Sequence, residues 1–154
     1  MDGHPSFPDP VTKSIDIQAA PTTVWQALTD PVRMPAWMSE EPLEVVTDWA
    51  IGSPIVIRGV LHGRLRFENS GIVRAFEAGR VLEYSHWSSL SLRALADAPE
   101  NHVGIALRLH PSDHGTRLEL SLSNLGDYAV YGHMNFYWEV TLAVLKRYCE
   151  AQAR

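Results

Sequence analysis

The sequence predicts an α+β domain, in which an antiparallel sheet of about six strands curves around one long C-terminal helix and two short helices follow the first strand. Three observations carry this. Most of the chain alternates apolar and polar residues with a period of two, the signature of half-buried strands. The segment 131–150 changes to helical spacing. Strand and helix units do not alternate, which argues against a parallel, nucleotide-binding sheet.

Met1 to Pro10 holds Gly3, Pro5, Pro8 and Pro10 and reads as a loose tail, with a single domain over 11–154. Ile15 and Ile17 alternate with Ser14, Asp16 and Gln18 in the first strand. Pro21 opens a helix where a missing N–H does no harm, and Val24, Trp25 and Leu28 form its apolar side. Asp30-Pro31 breaks it, and a second short helix runs from Met34 to Trp37. Leu43, Val45 and Thr47 begin the next strand; Ile55 and Ile57 continue after the turn at Gly52-Ser53-Pro54. His62-Gly63 marks a hairpin. Leu65, Phe67, Gly71, Val73 and Ala75 share one parity, as do Leu82, Tyr84 and His86. Val103 to Leu109 and Leu118 to Leu122 alternate clearly across a turn at Asp113-His114-Gly115. The segment 88–101 has no clear period and reads as a loop, with a helical turn at 92–96.

In the last segment Met134, Trp138, Leu142, Leu145 and Cys149 recur at helical spacing, beside a second row of His133, Tyr137, Val140, Val144 and Tyr148. Glu139, Lys146, Arg147 and Glu150 mark the polar side. A stripe this wide needs a broad concave partner, and the upstream sheet supplies one.

At 154 residues the chain can bury a real core without staples. A net charge of −5 and a pI near 5.7, with no cluster of Lys and Arg, give no electrostatic reason to bind nucleic acid or an anionic membrane. No apolar run approaches the roughly 20 residues of a membrane span, and the start carries no secretory pattern, so a cytoplasmic location is expected. The single cysteine, Cys149, reads as a small buried core residue.

The stretch Ala20-Pro21-Thr22-Thr23-Val24-Trp25-Gln26-Ala27-Leu28-Thr29-Asp30-Pro31 resembles the opening signature of the SRPBCC, or START-like, superfamily, and more narrowly the branch related to the activator of the heat-shock chaperone ATPase. Further similarities follow in order: Asp48-Trp49, Ile51-Gly52-Ser53-Pro54, Gly71 and Val73, Leu82, Tyr84 and Trp87-Ser88, then Asp97 and Pro99-Glu100-Asn101, and finally His133, Trp138, Leu142 and Leu145-Lys146. One departure is Ala78, where the branch commonly has a proline. The resemblance covers residues 13–150 and implies a helix-grip fold with an elongated apolar cavity between helix and sheet. It does not fix a function, because this scaffold hosts binders, carriers, cyclases and co-chaperone domains.

Strand parity names the residues expected to face that cavity. The candidate ligand-binding set is Trp37, Ile57, Phe67, Asn69, Val73, Tyr84, His86, Leu107, Leu120, Asn124, His133, Met134, Tyr137 and Trp138. Leu65, Val103, Ile105, Leu118 and Leu122 share the inward parity, and Met38 joins Trp37 at one mouth. The inward set holds no Asp, Glu, Lys or Arg, which suits an apolar ligand or plain core and weakens any mechanism needing paired carboxylates. His86 and His133 are the sharpest polar candidates, as a base or a partner for a ligand oxygen; each also reads as a core histidine satisfied by backbone. His62, His102 and His110 fall on outward positions and no set of metal ligands forms, so no metal and no cofactor is expected. Ser88, Asp97 and His102 lie in a polar loop without a nucleophile elbow, and no phosphate loop is present.

The leading expectation is a binding or carrier domain for a small hydrophobic, aromatic-like molecule. A polyketide cyclase-like enzyme, using His86 or His133 with Tyr84 or Tyr137, is the first alternative. A protein-interaction module that docks on a chaperone is the second, ranked lower because the chain holds one domain where such activators carry another. A homodimer stays open.

Overall fold

The computed structural model describes residues 7–89 and 96–153. The elements run β1 (Val11–Ile17), α1 (Pro21–Thr29), α2 (Pro35–Met38), β2 (Leu43–Val46), β3 (Pro54–Leu61), β4 (Leu65–Glu77), β5 (Val81–Ser88), a 3-10 turn (Pro99–Asn101), β6 (Val103–Ser112), β7 (Gly115–Ser123) and α3 (Tyr128–Gln152). Among the described residues there is one sheet of seven strands in the order β1-β7-β6-β5-β4-β3-β2, with every pairing antiparallel. This is the helix-grip arrangement. The helical turn expected at 92–96 falls almost wholly outside the described residues.

Local chemistry sets the boundaries. The β3–β4 hairpin turns on His62 and Gly63, at φ of 54° and 70°, and Arg64 N–H closes it onto Leu61 C=O at 3.0 Å. Two successive left-handed residues give the turn whose twist matches the strands. Asp127 caps α3 by accepting from Val130 N–H at 2.9 Å, so the helix starts three residues before the expected Tyr131.

Parity holds along most strands and fails at a bulge. Val73 pairs with Tyr84, but Ala75 pairs with Glu83, so Arg74 is the extra residue. Beyond it Ala75 leaves the inward parity and Phe76 replaces it, pairing with Leu82 and packing against Trp25 and Trp49 at ring separations of 5.2 and 5.7 Å. Leu65 is 53% exposed despite inward parity, because it stands at the tip of the β3–β4 hairpin. On α3, Val140 is 49% exposed, so the buried stripe is narrower than two full rows: it runs through Met134, Trp138, Thr141, Leu142, Leu145 and Cys149.

Lys13 Nζ bonds Glu139 at 2.5 Å, while Lys146 Nζ bonds Asp16 C=O and Glu150 Oε2, each at 2.7 Å. The polar side of α3 therefore latches onto the edge strand β1. At the other terminus of the helix, Phe7 stacks on Tyr131 at 4.9 Å and Asp9 accepts from Asn124 and Leu125 N–H.

Candidate functional site

The C-terminal half of α3 packs solidly on the sheet, with Leu118, Leu120, Leu145 and Cys149 fully buried. The N-terminal half does not close on it. Between them lies a cavity of about 390 Å³. Its floor is the inward face of the sheet: Ile57 and Leu61 from β3, Phe67 and Asn69 from β4, Tyr84, His86 and Ser88 from β5, Val103 and Ile105 from β6. Its roof is Ala129, Val130, His133, Met134, Tyr137 and Trp138 of α3. Met38, Ser39, Leu43, Trp87 and Asn101 complete the walls. No Asp, Glu, Lys or Arg lines it among the described residues. A larger, shallow groove of about 990 Å³ lies outside, along β2–β4, where Arg58 pairs with Glu44 and Glu68 at 3.4 and 3.7 Å. It is open and mutually neutralised, so the deeper, partly enclosed cavity beneath α3 is the candidate site.

Of the residues proposed from sequence, Ile57, Phe67, Asn69, Tyr84, His86, His133, Met134, Tyr137 and Trp138 line the cavity. Val73, Leu107 and Leu120 are buried in the solid core instead. Trp37 is buried behind Trp138, ring centroids 6.3 Å apart, and donates its indole N–H to Ala27 C=O at 2.8 Å. Asn124 lies just beyond β7 at φ 55°, and its amide binds the carbonyls of Glu100 and His102. It staples the 96–102 segment rather than facing a ligand. Leu61 was missed, although it continues the parity of Ile55 and Ile57. Ala129 and Val130 were missed because the helix was started too late; Asp127 as a capping residue was the available signal.

Burial, reinforced by the positive charge of His133 and then His102, pushes the His86 pKa down to about 4. The accessible surface it retains opens into the cavity, so near neutral pH it is an uncharged imidazole on an apolar floor. Burial pushes Tyr137 up to about 12, against a smaller opposing bond from Thr141, and raises Tyr84 further. Tyr137 donates to Met38 C=O at 2.9 Å, fixing the roof to the α2 end. His133 is exposed at the rim.

His102 keeps its outward parity but is 6% exposed. Its Nδ1 meets Ser85 Oγ at 2.9 Å and its Nε2 meets Asp97 Oδ1 at 2.5 Å. Asp97 also accepts from Ser70 Oγ, and these bonds hold its carboxyl below the usual range. Serine, histidine and aspartate thus come together, with Ser85 in place of Ser88. Ser85 is 2% exposed and its oxygen accepts Ile72 N–H, so this chain clips the loop to the outer sheet face and presents no nucleophile.

A family model described as Activator of Hsp90 ATPase homolog 1-like protein (AHSA1) matches residues 18–150. The chain belongs to this family. The AHSA1-like assignment agrees with the solved structures it resembles. ChR145 from Cytophaga hutchinsonii is 28% identical with a TM-score of 0.76, covering 96% of this chain and 97% of that one. CV1439 from Chromobacterium violaceum is 16% identical at 0.75, covering 93% and 99%. The Aha1 dimer from Colwellia psychrerythraea is 20% identical at 0.69, covering 92% and 96%. A search of the curated proteins finds no match. No helix among the described residues is long and apolar enough to cross a membrane.

Proposed function

We propose that this AHSA1-like domain binds a small hydrophobic molecule in the cavity beneath the N-terminal half of α3. The observation that carries the reading is a partly enclosed space of about 390 Å³ whose described lining is apolar and aromatic with a few polar groups and no Asp, Glu, Lys or Arg. The superfamily is generally thought to bind such ligands. A catalytic reading is weaker. Among the described residues no carboxylate stands beside His86 in the cavity to orient its ring, and general-base chemistry needs such a positioned set.

Titration with the neutral fluorophore N-phenyl-1-naphthylamine tests the proposal. Saturable enhancement at one probe per chain, with a raised Tm, is expected. Ile105→Phe, which projects into the floor, should abolish the enhancement while the protein stays folded. Absence of binding in the parent, or binding indifferent to Ile105→Phe, refutes it. For assembly, the Colwellia relative is a dimer, and the same state is proposed here. Phe136 and Val140, one turn apart on α3 and 72% and 49% exposed, are apolar surface that a monomer leaves in water. Sedimentation equilibrium at micromolar concentration decides between dimer and monomer.

A further inference from the structure

The polar groups around the cavity divide into those engaged or sealed away and those left open. Tyr137 donates its hydroxyl to Met38 C=O at 2.9 Å. Asn69 Oδ1 and Trp138 Nε1 are unpaired but sealed from solvent. The Tyr84 hydroxyl and the His86 ring nitrogens differ from both. Among the described residues they make no hydrogen bond, and they are not sealed. The two side chains stand two residues apart on the inner face of β5 and line the cavity floor. His133 joins them from α3: it lines the same cavity, is exposed at its rim, and its charge bears on His86.

We propose that the cavity takes an aromatic weak acid as its anion, its acidic oxygens hydrogen-bonded by Tyr84 O–H and neutral His86 N–H on the floor and paired with a protonated His133 at the rim. This rests on reading the cavity as a ligand site. The sign of the charge follows from the lining. Its titratable groups among the described residues are the phenols Tyr84 and Tyr137 and the imidazoles His86 and His133; β3, β4, β6 and α2 contribute none. His102, whose charge is also felt at His86, is engaged on the outer sheet face by Ser85 and Asp97. Among the described residues, therefore, no carboxylate competes with an entering anion, and none would balance a cation. A buried anion needs a counter-charge, and histidine supplies one readily because its ordinary pKa lies close to neutral. Burial holds Tyr84 protonated and keeps His86 neutral above a pH of about 4, so each has a proton to donate. Residues two apart on one strand face lie roughly 7 Å apart, which a carboxylate spans with one hydrogen bond at each oxygen. Phe67 and Trp87 suit a flat ring, and about 390 Å³ suits a body of two fused rings.

Four naphthalenes of one shape test this by displacing N-phenyl-1-naphthylamine between pH 6 and 8. They are 2-naphthoate, naphthalene-2-sulfonate, neutral 2-naphthamide and cationic 2-naphthylmethylammonium. The two anions should bind at least about ten-fold tighter than the amide at pH 6, and the cation should bind weakest. Anion affinity should fall about five-fold from pH 6 to 8 as the rim imidazolium loses its proton, while that of the amide holds. The sulfonate does not enter as a neutral acid, so its slope reports a proton on the protein. His133→Gln, at an exposed position, should erase that slope. Tyr84→Phe should weaken both anions at every pH and keep the slope. The parent's ranking decides the matter even if that variant fails to fold. Anions no tighter than the amide, or a slope that survives His133→Gln, overturn the acid assignment and leave the ligand site standing. Failure of every probe, the fluorophore included, overturns the site as well.

Discussion

His86 shows how a single side chain ties stability to pH. Its unfolded pKa is near 6.5 and its folded pKa about 4, so between those values the unfolded chain binds the extra proton. Stability is therefore full above pH 6.5 and falls as the pH drops toward 4, by no more than about 3 kcal/mol given the partial exposure of the ring. His86→Phe should flatten this acid arm, seen as a smaller shift in urea midpoint between pH 7 and 4.5. Asp97 titrates in a separate window: its lowered folded pKa contributes stability above its unfolded value that is lost on further acidification. Cys149 offers a second residue-scale test. Burial, and then the neighbouring Glu150 charge, push its thiol up to about 12. Ellman's reagent should leave it unlabelled in the native protein at pH 8 and label it once urea unfolds the chain.

Among the elements, the β4–β5 pairing hangs on Gly71. A Cβ there would come within 1.7 Å of Ser85 C=O, a backbone atom that cannot swing aside. Gly71→Ala should cost about 3 kcal/mol or more by denaturant titration. Gly132, inside α3 with nothing within 4 Å of an added Cβ, should behave oppositely: Gly132→Ala should stabilise by up to about 1 kcal/mol. The same elements show what sequence periodicity can and cannot carry. Strand parity places Tyr84, His86, Ile57 and Phe67 on the floor because side chains alternate strictly along an unbroken ladder. It loses Ala75 and Phe76 because the extra residue at Arg74 reverses the faces. Parity also says which way a side chain points and not what covers it. Hence Leu120 and Val73 sit in solid core while Tyr84 meets a cavity, and His102 is buried though it points outward. The Ser85–His102–Asp97 clip joins residues by loop packing, to which no period corresponds.

Across the whole molecule the helix divides a solid end from a hollow one. Leu120→Ala, at the solid end, should cost roughly 2–5 kcal/mol. Met134→Ala, at the hollow end, should cost about half as much, because the side chain already lacks partners on its cavity side. Chemical denaturation of both variants under one set of conditions checks the contrast. The sheet order has a further consequence during synthesis. The edge strand β1 pairs with β7, Val11 lying opposite Leu122. At translation speeds of about 5–20 residues per second, Val11 therefore waits roughly 6 to 20 seconds before its mate is made. Until then Ile15 and Ile17 have no β7 to lie against on the nascent chain. The earliest made strand of the sheet is thus among the last to find its place, and it is where a holdase would have most to shield.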